Sequence, residues 1–169
     1  MERLILMRHG EAERPAPGLE DFDRALDAEG REESRLIGKA MADAGLQPDL
    51  VLVSSSRRTV ETWRAVAEAF GQPIDTQQDH SLYAASAARL AAAAQLMAPR
   101  GRTLMMVGHN PGIHQYAVHL ALQSGAAEGA GVLYDRFPTG SVAVFAMGEG
   151  GKPTFERLIL VKDLRGKAG

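Results

Sequence analysis

The sequence predicts a three-layer α/β/α fold, a mostly parallel central sheet with helices on both faces. Three observations predict it. Short unbroken apolar runs, Leu4-Ile5-Leu6-Met7, Leu50-Val51-Leu52-Val53 and Leu104-Met105-Met106-Val107, have the character of strands buried on both faces. The stretches between them carry apolar residues at helical spacing. Strands and helices alternate along the chain, the signature of parallel strands joined by crossover helices. No linker or internal repeat interrupts the pattern, so residues 1–169 are expected to form one domain.

Each element has a local reason. Residues 3–7 form the first strand, and Pro15, Pro17 and Gly18 mark residues 11–26 as a loop over its end. Asp27 is placed to cap a helix running to about Ala44, with Leu36, Ile37, Ala40, Met41 and Ala44 on its apolar face and Gly45 ending it. After the strand at 50–53, Ser54-Ser55-Ser56 turns into a helix that carries Val60, Trp63, Ala67 and Phe70 and stops at Gly71. Residues 74–78 predict a short strand. Ser86 caps an Ala-rich helix to Ala98, closed by Pro99 to Gly101. The strand at 103–107 leads into a helix from Pro111 to Gln123, with proline in its first turn. Ser124 to Gly131 is small and glycine-rich, hence a loop. Ser141 to Met147 and Phe155 to Val161 predict a hairpin joined through residues 148–153, adding an antiparallel edge.

Composition narrows the function. The chain is 45% apolar over 169 residues, enough for a real core. Its 19 basic and 21 acidic side chains leave a net charge of -2, which argues against nucleic acid or an anionic membrane as partner. Any anion site must come from local arginines. Without cysteine, neither disulfides nor thiolate chemistry operate. No apolar stretch is long enough to span a bilayer, and no leader pattern opens the chain, so a cytoplasmic enzyme is expected.

Chemistry concentrates where strands end. In open parallel sheets, ligands bind outside the carboxyl ends of the strands. The first strand delivers Arg8-His9-Gly10 to that edge, and the strand at 103–107 delivers Gly108-His109-Asn110-Pro111-Gly112. A neutral imidazole at position 9 is a nucleophile, and neighbouring cations keep it neutral. Gly10 lets the backbone come close to an oxyanion. The serines at 54–56 lead into Arg57-Arg58-Thr59-Val60-Glu61-Thr62. Two arginines at a helix start oppose the helix dipole, so they point to an anionic partner. Arg24 either reaches over the pocket or pairs with Asp23 or Asp27.

Taken together, Arg8-His9-Gly10, the Ser54–Thr62 segment and Gly108-His109 resemble the histidine phosphatase superfamily, with its phosphoglycerate-mutase-like fold. Arg24-Ala25-Leu26 before Gly30, Leu82-Tyr83, and Phe137-Pro138-Thr139-Gly140-Ser141 narrow the likeness to SixA-type phosphohistidine phosphatases. The resemblance implies that His9 takes the phosphoryl group and that Arg8, Arg58 and His109 hold its oxygens. It selects Arg58 over Arg57, and it matches Arg24 to a family arginine before the first helix.

One position departs from the pattern. Larger esterases of the superfamily carry a general-acid glutamate after the short middle strand, where this chain has Leu82-Tyr83-Ala84. An alkoxide leaving group needs that proton, a contribution of roughly 10²–10⁴-fold, and an imidazole needs it far less. The expected substrate is therefore a phosphorylated protein histidine, of a phosphotransfer or histidine-kinase pathway. The alternatives are a small phosphorylated metabolite, with Glu11, Glu13 or Asp79 as replacement acid, and a non-catalytic phosphate-binding module. His114 and His119 are spaced poorly for one metal, and neither a metal motif nor a nucleotide loop occurs, so no metal or cofactor is expected.

Overall fold

A computed structural model describes residues 1–125 and 129–166. One six-stranded sheet organises the chain. Its strands are β1 (Arg3–Arg8), β2 (Leu50–Ser54), β3 (Asp75–Asp79), β4 (Thr103–Gly108), β5 (Val142–Met147) and β6 (Pro153–Ile159), in the order β3-β2-β4-β1-β5-β6. The first four run parallel, while β5 is antiparallel to both β1 and β6. The antiparallel strand thus lies one place in from the edge rather than on it, and β3 and β6 form the edges.

Four longer helices cover the sheet: α1 (Ala28–Asp43), α2 (Arg57–Ala67), α3 (Ala87–Met97) and α4 (Gly112–Ser124). The predicted caps form. Asp27 accepts from the Gly30 amide at 2.7 Å, and Ser86 accepts from the Arg89 amide at 3.2 Å. Alternate residues of β1 and β4 feed two cores. Leu4, Leu6, Leu104 and Met106 pack toward α3 and α4, and Ile5, Met7, Met105 and Val107 toward α1 and α2. This two-sided burial is the three-layer arrangement that the apolar runs predict.

Two short helices depart from expectation, α5 (Gly131–Asp135) and α6 (Val161–Arg165). Val161, expected to end the last strand, instead opens α6, which is held to α1 by Arg165 pairing with Glu29 and Glu33, each at 3.1 Å. A single helical turn carries too little periodicity to be read from sequence. Of the Ser124–Gly131 loop, residues 126–128 lie outside the described residues. Among the described residues, no helix is long and apolar enough to cross a membrane.

The α1 face is set by small residues as well as apolar ones. Ile37 and Met41 are buried as expected, but so are Ser34 and Gly38, while Ala44 is exposed. A Cβ on Gly38 would stand 2.4 Å from the Val66 carbonyl oxygen. Gly38 therefore lets α1 approach α2 backbone to backbone. Replacing it, Gly38→Ala, is expected to cost about 1–3 kcal/mol through overpacking. Chemical denaturation checks this, and an unchanged midpoint would show that the helices part without cost.

Candidate active site

The strand register assembles the site. In the parallel pairing of β1 with β4, Arg8 stands opposite Gly108, and the His9 amide donates to the Gly108 carbonyl at 3.1 Å. The next residue of each chain segment, His9 and His109, is thereby placed side by side. Their rings lie 5.3 Å apart, centre to centre. β2, on the other side of β4, ends at Ser54, whose Oγ meets His109 Nε2 at 2.8 Å.

Arg58 enters from the first turn of α2. A chain of buried hydroxyls fixes that turn. Thr59 Oγ1 donates to the Ser54 carbonyl at 2.6 Å, and Ser56 Oγ donates to Thr59 Oγ1 at 2.6 Å. Arg58 is only 5% exposed, whereas its neighbour Arg57 points to solvent and pairs with Glu61. The choice of Arg58 over Arg57 therefore has a geometric basis here. Its Nε donates toward His9 Nε2 and its Nη2 toward His109 Nδ1, both long contacts of 3.4 Å.

These partners fix both tautomers. His9 Nδ1 lies 2.7 Å from the Gly10 carbonyl, which only accepts, so Nδ1 carries the hydrogen. Arg58 only donates, so His9 Nε2 offers it a lone pair. By the same logic His109 accepts at Nδ1 and donates from Nε2 to Ser54. Burial pushes the His9 imidazole down to about 3, with the charges of His109, Arg58 and Arg8 adding to the effect. Burial likewise pushes His109 down to about 4, with Arg58 next in importance. Both rings are neutral at pH 7, and His9 presents an unprotonated nitrogen to a guanidinium.

Arg8 approaches from the end of β1. Its Nη1 donates to the Phe137 carbonyl at 3.2 Å, and its buried Nε has no partner among the described residues. Asn110 donates to the same carbonyl at 2.8 Å, so the 137–141 loop is tied to both strand ends. Arg8 thus keeps donor capacity at the site edge.

Two expected roles need correction. The Gly10 amide is not free for an oxyanion, because it donates to Thr62 Oγ1 at 2.9 Å. Gly10 is required for packing: a Cβ there would stand 2.9 Å from both the Gly30 carbonyl oxygen and Ser34 Oγ of α1. Arg24 pairs with neither Asp23 nor Asp27 and does not meet the histidines. It binds Asp21 Oδ1 at 2.9 Å and the Glu13 carbonyl at 2.8 Å.

Asp21 is the residue that sequence reading missed. Its Oδ2 accepts from Arg58 Nη2 at 3.0 Å and from the Tyr83 hydroxyl, and its backbone carbonyl accepts from Arg58 Nη1 at 2.7 Å. The Tyr83 hydroxyl, with Arg24 and Arg58, holds the Asp21 carboxyl well below the usual carboxylate range. Tyr83 in turn sets its ring edge-on to His109, 5.4 Å away. The Asp21–Arg24 spacing of three was the available signal, but several acids crowd that loop and nothing singled this one out. Of the carboxylates proposed as acids, Glu11 takes the Thr139 hydroxyl at 3.1 Å and Asp79 caps the turn at Ser81 at 2.8 Å. Glu13 lends Arg24 its backbone carbonyl.

Neutral burial of His9 has a consequence for stability. The unfolded chain takes up a proton near pH 6.5 that folded His9 refuses until about pH 3. Stability is therefore full above pH 6.5 and falls as pH drops below it, by about 1.4 kcal/mol per pH unit for this residue. Urea titrations at pH 7, 6 and 5 are expected to show that loss, and His9→Gln is expected to flatten it by that slope. Equal slopes in the two proteins would mean that His9 is charged in the folded state.

Comparison with known proteins bears on the family and the fold. Residues 4–83 match the family model of the histidine phosphatase superfamily, branch 1. A solved chain from Agrobacterium tumefaciens, described as the phosphohistidine phosphatase SixA, is 29% identical with a TM-score of 0.82, covering 94% of this chain and 97% of that one. The structure of the protein histidine phosphatase SixA with tungstate shares the fold at a TM-score of 0.79 and 23% identity, covering 96% of this chain and 99% of that one. A 2,3-bisphosphoglycerate-dependent phosphoglycerate mutase from Thermobifida fusca is 38% identical over 73 residues, 42% of this chain and 30% of the mutase. The chain spans about a third of the length of the curated relatives it matches. The matched residues run through β1, α1, β2, α2 and β3, and the fold is shared along nearly the whole chain, so the protein is similar to the histidine phosphatase superfamily in both sequence and fold.

Proposed function

We propose that this protein is a phosphatase that works without a metal, carries the phosphoryl group transiently on Nε2 of His9, and acts on a phosphorylated histidine of a protein partner. The observation that carries the reading is the His9 nitrogen itself, neutral, unprotonated and faced by Arg58 beside His109.

The chemistry follows in two steps. His9 Nε2 attacks phosphorus, and the bond to the leaving group breaks on the far side. Arg58, Arg8 and His109 take up the charge on the three peripheral oxygens. Water then attacks phosphorus, releases inorganic phosphate and returns His9 to its Nδ1–H form. The Gly10 carbonyl, on Nδ1, stabilises the ring as it loses electron density at Nε2. His109 is neutral in the free site, and a bound dianion favours its protonation, making a donor of Nδ1.

Substrate class follows from what surrounds these groups. Asp21, the carboxylate that meets Arg58, accepts from three side chains and is held ionised, which makes it a poor proton donor. A phosphorylated imidazole protonated on its other nitrogen departs as neutral imidazole and asks no proton of the enzyme. An alkoxide does. A cavity of about 520 Å³ begins at Glu11 and Thr139 and continues past Glu29, Glu33, Lys162 and Arg165. It offers a partner protein both signs of charge beside the site. Such a partner belongs to a phosphotransfer or histidine-kinase pathway, and the enzyme to the same aqueous compartment, the cytoplasm.

The test compares a histidine-phosphorylated phosphotransfer domain with simple alkyl phosphates. The domain is expected to turn over at least 10²-fold faster in kcat/KM, given the lack of an acid. His9→Ala is expected to lose at least 10³-fold on both. Faster turnover of the alkyl esters would transfer the assignment to a small phosphorylated metabolite, and full activity of His9→Ala would overturn the mechanism.

A further inference from the structure

We infer that Asp21 is the positioning residue of Arg58, which it holds so that the edge of the guanidinium facing the histidines stays free for two phosphoryl oxygens. The inference rests on the phosphoryl-transfer reading of the site.

A guanidinium has two edges able to grip a pair of oxygens, one between Nε and Nη2 and one between Nη1 and Nη2. In Arg58 these edges have different work. Nε and Nη2 face His9 Nε2 and His109 Nδ1, each at 3.4 Å. Nη1 and Nη2 are filled by Asp21, through its backbone carbonyl at 2.7 Å and its carboxylate Oδ2 at 3.0 Å. A residue that competed with the substrate would sit on the inner edge. Asp21 sits on the outer one, and both its contacts shorten where those to the histidines are long. The guanidinium is thus clamped from behind.

The clamp is itself braced. Oδ1 of Asp21 receives Arg24, and Oδ2 also receives the Tyr83 hydroxyl. Phe22, the next residue, packs edge-on against Tyr83 with ring centres 5.0 Å apart. Arg24 and Tyr83 therefore act through Asp21, which explains why Arg24 belongs to the site without touching His9. Misplacing a group that stabilises transferring phosphoryl by about 1 Å costs on the order of 10²-fold in rate.

A double-mutant cycle tests the assignment, with Asp21→Ala, Arg58→Ala and the double variant. The Asp21 side chain is 52% exposed at the start of a single 3-10 turn, Asp21–Asp23, so its removal spares the core. Thermal melting verifies that each variant is folded. Asp21→Ala is expected to weaken orthovanadate binding to the free protein about tenfold and to lower kcat/KM by about 10- to 100-fold. In the Arg58→Ala background the same change is expected to do nothing further. Asp21→Asn, which keeps one carbonyl oxygen, recovers part of the loss. Equal effects in both backgrounds would overturn the inference, as would vanadate binding to Asp21→Ala as tight as or tighter than to the native chain. Coupling in vanadate affinity without turnover of any phosphorylated substrate would sink the proposed function and leave the role of Asp21 standing.

Discussion

The parallel pairing of β1 with β4 is the constraint on which the site depends. Because Arg8 stands opposite Gly108, the residues that follow both leave the sheet at the same level and on the same side. A slip of one residue would turn one histidine to the other face. The register is set by the core, since Leu4, Leu6, Leu104 and Met106 point to one helical layer and Ile5, Met7, Met105 and Val107 to the other. The distance between His9 and His109 is therefore decided by apolar packing well away from either ring.

Burial then decides what those rings can do. His9 is 8% exposed and hemmed by cations, so protonation costs desolvation and repulsion together. On the proposed mechanism, the arginines that would hold a phosphoryl group add to burial and to His109 in keeping the His9 nitrogen unprotonated. Arg58 is buried beside these rings and carries its own cost, offset by the Asp21 carboxylate on its outer edge. Asp21 is exposed enough to stay hydrated, so the pair avoids the expense of two fully buried ions. A charge-balanced guanidinium with one free edge is the result.

The elements most legible in the sequence were those with a strong local signal. Unbroken apolar runs marked three strands, and Asp27 and Ser86 marked helix starts that the structure keeps. The placement of Arg8, His9, Arg58 and His109 at strand and helix ends was legible for the same reason, because the edge of a parallel sheet is a defined location. What stayed hidden depended on distant partners. Asp21 meets Arg58 across 37 positions and Tyr83 across 62, and no local pattern encodes either contact. Gly10 was read as room for an anion, but α1 occupies that room, a fact visible only once the helix is docked. The short α6 is stabilised by Arg165 on Glu29 and Glu33, another distant pairing.

The charge distribution ties site and substrate together. The chain carries a net charge of -2, so its overall field does not draw in phosphate. On the proposed reading attraction is local and would be supplied by Arg8 and Arg58, with Arg24 held behind Asp21. A small dianionic metabolite would rely on that local field both for capture and for binding. A phosphorylated histidine on a protein can instead be held by the surface around it, and the site need grip only the phosphoryl group. A weakly steering chain, a pair of arginines at one sheet edge and, among the described residues, no proton-donating carboxylate seen against His9 are consistent with one another under that division of labour. On the proposed reading, the partner's surface would supply affinity, and the few groups around His9 would be left to stabilise the transfer.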